Sequence, residues 1–329
     1  MDIIKTKRGE EMDENVANKV KRKNGFNQKK LYDNLFIASF LFYPILLFCV
    51  FWVYTNFDSI LLGFRKYDEL NNPSFAGLAN FKDFINYVIL NGDPRWGIAF
   101  KNTLKMYLIP LIPCNLCYIF FAYILFKHCP AHRILRFIVL LPQIIAGFIL
   151  ALVFKRFVEQ ALPGIMSELF GLTDFPNLLW DKETAFGTQL FYVIWISFST
   201  NLIVYPNAMK EIDTAILEAA QIDGVQNMFQ ELWYIIVPLI YPTMCTFIIT
   251  GFSGMIMAGG AVPTFYYFNA PTHVVNVGYL YWIQMTNADS FIDYPLYAAG
   301  GLMLTVIIAP LTMLLRWALD KYGPSTEGY

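Results

Sequence analysis

Neutral hydrogen-bonding side chains recur at helical spacing inside apolar stretches of this chain. Thr188, Tyr192, Trp195 and Ser199 stand four, three and four residues apart, so on a helix they share one face. Thr243, Thr246, Thr250 and Ser253 repeat the pattern further along, and Asn115 and Gln143 add neutral amides in two other apolar stretches. Uncharged hydroxyls, amides and aromatic rings with no activating base beside them carry out no covalent chemistry. They suit a neutral solute that offers many hydroxyls and an apolar ring face. The same residue types also join membrane helices and fill cores, so each stripe carries both readings.

Reactive chemistry is poorly represented. Five cysteines fall in or beside apolar stretches, and the Cys114–Cys117 pair has CxxC spacing without a second pair, which favours packing over metal or redox work. No GxxxxGK[ST] occurs, so the chain has no P-loop for ATP. The middles of the long apolar stretches lack Asp, Glu, Lys, Arg and His. Ion-driven carriers and proton pumps place an ionisable residue there. A transporter built this way must draw its energy from another polypeptide.

The elements that position these residues are membrane helices. The chain has 329 residues, 57 % apolar and 15 % charged, too greasy for a soluble domain. Six apolar stretches, at 35–57, 100–126, 134–157, 187–209, 234–257 and 293–317, each approach the roughly 20 residues a bilayer needs. None alternates with period two, which predicts helices and not barrel strands. Pro110, Pro113, Pro142, Gly300, Gly301 and Pro310 are expected to interrupt their spans. The first 34 residues carry nine Lys or Arg against six acids and have neither the apolar core nor the cleavage site of a signal peptide. They are expected to form a cytoplasmic tail that sets both termini inside.

Between the fourth and fifth stretches, the polar segment Asp213–Pro238 predicts a structured loop. Asp213 or Thr214 can cap a helix over 214–223, Gly224 ends it in a left-handed conformation, and a second helix begins near Gln226. Ala215 and Ala219, with Ile216 and Ala220, build a small-residue face. Glu218, Ala219, Ala220 and Gly224, with Ile222 and Asp223 between, resemble the EAA loop of ABC importer permeases in its carbohydrate-permease form. Pro238 lies about one residue farther from Gly224 than that pattern has, and Asp213 stands where a Pro is common. Other elements are similar to sugar permeases in order and spacing: Gly77-Leu78-Ala79-Asn80-Phe81, Asn102-Thr103-Leu104, Arg136 with Leu140-Leu141-Pro142, and Ile194-Trp195.

The resemblance implies an all-α polytopic protein, the six-helix transmembrane domain of a type I ABC importer. It would occupy residues 35–318 between tails at 1–34 and 319–329, in the cytoplasmic membrane of a bacterium. The loop at 210–233 would be cytoplasmic and would dock a separate ATPase through Glu218, Ala219, Ala220, Asp223 and Gly224. ATP and Mg would sit on two partner ATPase subunits and not on this chain, which is not expected to be an enzyme. A second permease subunit, as a hetero-dimer, and an extracytoplasmic solute-binding protein would complete the system, with no nucleic acid involved. The expected cargo is a carbohydrate, an oligosaccharide by preference, along a path touched by Asn115, Gln143, Tyr192, Trp195, Ser199, Thr246, Thr250 and Ser253. Two alternatives stay open: a polyamine- or phosphate-type permease with the same loop, and a membrane receptor or assembly protein that moves nothing.

Overall fold

The computed structural model describes residue 32 and residues 34–68, 70, 72–90, 93–172, 174–288 and 293–324. The N-terminal tail expected over 1–34 lies, apart from Tyr32 and Asn34, outside them. The chain falls into two units, Met1–Leu62 and Gly63–Tyr329. In the first, α1 (Asn34–Leu62) is a single helix of 29 residues, about 43 Å at 1.5 Å per residue and so more than a hydrocarbon core requires. Its apolar side chains, Phe36, Phe40 and Phe51 among them, are exposed.

The second unit opens with a short antiparallel hairpin, β1 (Arg65–Tyr67) and β2 (Pro73–Phe75), followed by α2 (Ala79–Ile85). Then come α3 (Arg95–Phe126), α4 (His132–Ile144), α5 (Gly147–Phe170) and α6 (Ala185–Lys210). The polar loop carries α7 (Thr214–Ile222) and leads into α8 (Met228–Gly254). Two short helices, α9 (Val262–Tyr266) and α10 (Val277–Thr286), precede the last long one, α11 (Tyr294–Tyr322).

Five of these helices, α1, α3, α6, α8 and α11, are long and apolar enough to cross a membrane. The stretch read as a third span is a pair, α4 and α5, which pass the same test together and make a sixth span if counted as one, but which are bent by 100° at Ile145–Ala146. Both break residues are extended, with ψ of 134° and 128°. Pro142 has already removed one amide donor from that turn. Elsewhere the expected interruptions do not occur. α3 stays helical through Pro110 and Pro113, and α11 through Pro310. Gly300 and Gly301 are contact points within α11: Phe84 of α2 and Tyr281 of α10 occupy the space their side chains would fill. α11 also runs four residues past 318, so the boundary drawn there for a C-terminal tail falls inside a helix.

Two motifs from the sequence act as anchors. Asn80, 5 % exposed, donates from Nδ2 to the carbonyls of Gly63 and Arg65 at 2.9 and 2.6 Å, fixing the chain's entry into the hairpin. Asn102 donates to the carbonyls of His273 and Val275, both at 2.9 Å. Thr103 Oγ1 accepts from the Val277 amide at 3.0 Å. Together they hold the segment between α9 and α10 against α3, deep enough that residues 274–280 are all buried. Asn276 caps α10 by accepting from the Tyr279 amide at 2.8 Å. Irregular backbone at such depth is tolerated only when its polar groups find partners, and these side chains supply them.

Candidate functional site: a polar loop and a neutral cleft

The loop between α6 and α8 takes the form its residues dictate. Asp213 is extended (φ −61°, ψ 131°), and its carboxylate accepts from the Ala215 amide at 3.0 Å, an N-cap. At the other end Gly224 takes φ +100°, a conformation that disfavours any side chain. Its amide donates to Gln221 O at 3.2 Å and the Val225 amide to Ala220 O at 3.0 Å, the paired bonds of a Schellman stop. The second helix starts at Met228, where Gln230 Oε1 accepts from the Gln226 and Asn227 amides at 3.3 Å.

The expected small-residue face divides in two. Ala220 is buried, with Ile216 and Leu217 half-buried beside it, while Ala215, Glu218, Ala219 and Asp223 are exposed. Ile222, 85 % exposed, projects from the tip. The inner side rests on a cluster formed by the ends of α3, α6 and α8: Tyr118, Ile119, Tyr123, Leu202, Tyr205, Met209, Leu232 and Ile236, with Ile212 and Leu217 packed against it.

Above this cluster lies a cleft of about 360 Å³ between α3, α6 and α8, at the lower end of the range for small-molecule sites (roughly 300–1,000 Å³). Tyr107, Asn115 and Tyr118 of α3 line it, with Ser197, Thr200 and Asn201 of α6 and Phe247, Thr250 and Gly251 of α8. No lining residue is charged. Tyr107 donates to Ile248 O at 2.7 Å and Tyr205 to Asn115 Oδ1 at 3.1 Å. Asn201 is buried, with its Nδ2 bonded to Ser197 O at 2.9 Å and its Oδ1 without a protein donor. A second cavity, of about 190 Å³, shares Met106, Tyr107, Val193 and Gly251 with the first and reaches Asn276.

The sequence-read residues distribute unevenly around this cleft. Asn115 and Thr250 line it. Gln143 touches it indirectly, donating to Thr200 Oγ1 at 2.5 Å. Tyr192 borders a small enclosed cavity with Gln189 and Asn276. Its ring, with Trp195 and Phe265, surrounds Phe154, the centroids lying 5.0–6.2 Å from that of Phe154. Ser199 is buried away from the cleft lining, and Thr246 returns its hydroxyl to Pro242 O at 2.9 Å. Ser253 lies on a separate groove between α8 and α11. The lining face of α6 is Val193, Ser197, Thr200 and Asn201, rotated by about one residue, near 100°, from the stripe read in the sequence. Both faces carry hydroxyls, so periodicity alone could not choose between them.

Helices sized for a bilayer, an uncharged cleft among them and a capped polar loop beneath it fit the membrane component of a transport system. The family described as "binding-protein-dependent transport system inner membrane component" matches residues 119–327, and the chain belongs to it. It is accordingly a multi-pass protein of the cytoplasmic membrane. The probable ABC transporter permease protein YesP of Bacillus subtilis is 27 % identical over 231 residues, covering 69 % of this chain and 71 % of that one. The arabinooligosaccharides transport system permease protein AraP of the same organism is 26 % identical over 296 residues, covering 88 % of each. A chain of the bacterial alginate ABC transporter, solved in complex with an alginate pentasaccharide-bound periplasmic protein, shares the fold. Its TM-score is 0.67 at 19 % identity, over 89 % of this chain and 96 % of that one.

Proposed function

We propose that this chain is a permease subunit of an ATP-driven importer of carbohydrate, specifically of an oligosaccharide. The observation that carries the reading is the lining of the cleft. A polyamine needs carboxylates and a phosphate needs Arg, Lys or a nest of amides, whereas this cleft offers aromatic faces, hydroxyls and neutral amides. Asn201 Oδ1 is a buried acceptor in want of a donor, which a sugar hydroxyl supplies. Relatives named for arabinooligosaccharides and for alginate point to the same chemistry.

In this reading Glu218, Ala219, Ala220, Asp223 and Gly224 form the coupling surface, with Ile222 as the apolar tip that enters a partner's cleft. The partners are two ATPase subunits, which bind ATP and Mg2+, a second permease that completes the path as a hetero-dimer, and a solute-binding protein outside the cell. The loop at 210–233 and both termini face the cytoplasm. ATP binding draws the ATPases together, the loop follows, and the helices around the cleft change which side they open to.

Purification from the native membrane tests the system, and uptake tests the cargo. An ATPase and a second permease are expected to co-purify, and labelled oligosaccharide to enter cells at rates that depend on this chain. Isolation without an ATPase would leave a receptor or assembly role. Uptake of putrescine or phosphate in place of oligosaccharide would retain the importer and overturn the sugar.

A further inference from the structure

One charged pair in this molecule lies outside both the cleft and the exposed surface of α7, at the joint between them. Lys127, the residue that ends α3, places Nζ 2.6 Å from Glu231 Oε1 at the start of α8. Glu231 is 8 % exposed, and the Tyr123 side chain lies close beside it. The Lys127 ammonium also stands over the rings of Tyr123 and Phe126, at 5.6 and 5.9 Å. About two turns back along α3, Phe120 stacks on Phe229 with the ring centroids 6.1 Å apart. Taking a carboxylate out of water is costly, and an apolar residue in that position would pack at least as well. What an ion pair anchored on a buried carboxylate adds is a fixed register between the two elements that carry it, α3 and the second helix of the loop.

We propose that Lys127 and Glu231 are positioning residues that make the loop and the lower half of α3 move as one body. The proposal rests on the coupling role assigned to α7. On the loop side, Ala220 O accepts from the Val225 amide and Leu217 packs into the cluster containing Leu232 and Ile236. A displacement of α7 therefore reaches Glu231 through packed groups. On the cleft side, Tyr118 and Asn115 lie on the same helix as Lys127, and Tyr205 of the cluster donates to Asn115. From Lys127 to Asn115 is about 18 Å along a continuous helix. The pair is thus the one ionic contact, among the described residues, that joins the loop to a wall of the cleft.

The test is a double-mutant cycle on the purified importer complex in lipid nanodiscs, with Ser197→Cys as reporter in the cleft. Maleimide labelling of that cysteine is read peptide by peptide, with and without ATP and orthovanadate, which keeps the five native cysteines from confusing the signal. Glu231→Gln preserves the shape and the Tyr123 contact, and Lys127 is exposed enough for Lys127→Gln to be solvated. Each single variant is expected to retain the ATPase and its melting midpoint while the nucleotide-dependent change in labelling falls about five-fold. The double variant is expected to fall no further, because both residues act through one contact. Unchanged labelling in the single variants, or losses that multiply to about 25-fold in the double, overturns the proposal. So does a single variant that loses its ATPase, since the pair would then hold the docking surface itself. If the unaltered chain purifies without an ATPase, the importer reading fails first and the proposal falls with it.

Discussion

Asn102 and Asn201 are both buried amides in membrane helices, and their partners assign them opposite work. Asn102 spends its Nδ2 on two carbonyls of an irregular segment, so Asn102→Ala strands both. At about 1–3 kcal/mol for each buried group left unpaired, the variant is expected to accumulate poorly, and its melting midpoint in detergent should drop well below that of the unaltered chain. Asn201 stands on the cleft wall with its Oδ1 buried and without a donor from this chain. Asn201→Leu removes an unpaired polar atom, so stability should hold or rise slightly. Uptake of labelled oligosaccharide should fall about ten-fold, the value of one hydrogen bond of roughly 1.4 kcal/mol. Equal losses of stability in both variants would show that the cleft amide is structural after all.

At the scale of elements, α7 is a short helix with both ends chemically specified. Nine residues are too few to hold a helix in isolation. The Asp213 cap, the Schellman stop and the buried Ala220 side supply what propensity cannot. Gly224 is the residue with least freedom of replacement. A Cβ there meets nothing within 4 Å, yet the backbone stands at φ +100°. Gly224→Trp therefore strains the turn by about 1–2 kcal/mol without disturbing the interior. The chain is expected to reach the membrane in normal amount while ATP hydrolysis no longer responds to substrate. Normal uptake by this variant would remove the loop from the coupling role.

For the whole molecule, the decisive property is which side of the membrane the loop faces. Gln221→Cys, at an exposed position of α7, is expected to resist a membrane-impermeant maleimide in intact cells and to react in inside-out vesicles. Reaction from outside would reverse the topology. The connection from α8 to α10, where Gly259 meets Gly278, shows why the arrangement is unforgiving. A Cβ on Gly278 would stand 2.5 Å from the Gly259 nitrogen and 2.8 Å from Met257 O. Two stretches of backbone meet there with no side chain between them.

The amino-acid order alone determined the helical class, the number and approximate limits of the apolar stretches, and the capped loop with its left-handed glycine. Each follows from local physics: apolar length against bilayer thickness, and the few residues that satisfy a helix end. It also placed Asn80, Asn102 and Thr103 in recognisable motifs without revealing what they hold, since their partners lie 15 to 174 residues away. Tertiary structure decided three things. It broke the third apolar stretch at Ile145–Ala146, turned Gly300 and Gly301 into packing contacts, and chose Ser197, Thr200 and Asn201 over Trp195 and Ser199 for the cleft. The reason is common to all three. Periodicity says which residues share a face, but a membrane helix with polar groups on two faces acquires a direction only from the helices it packs against.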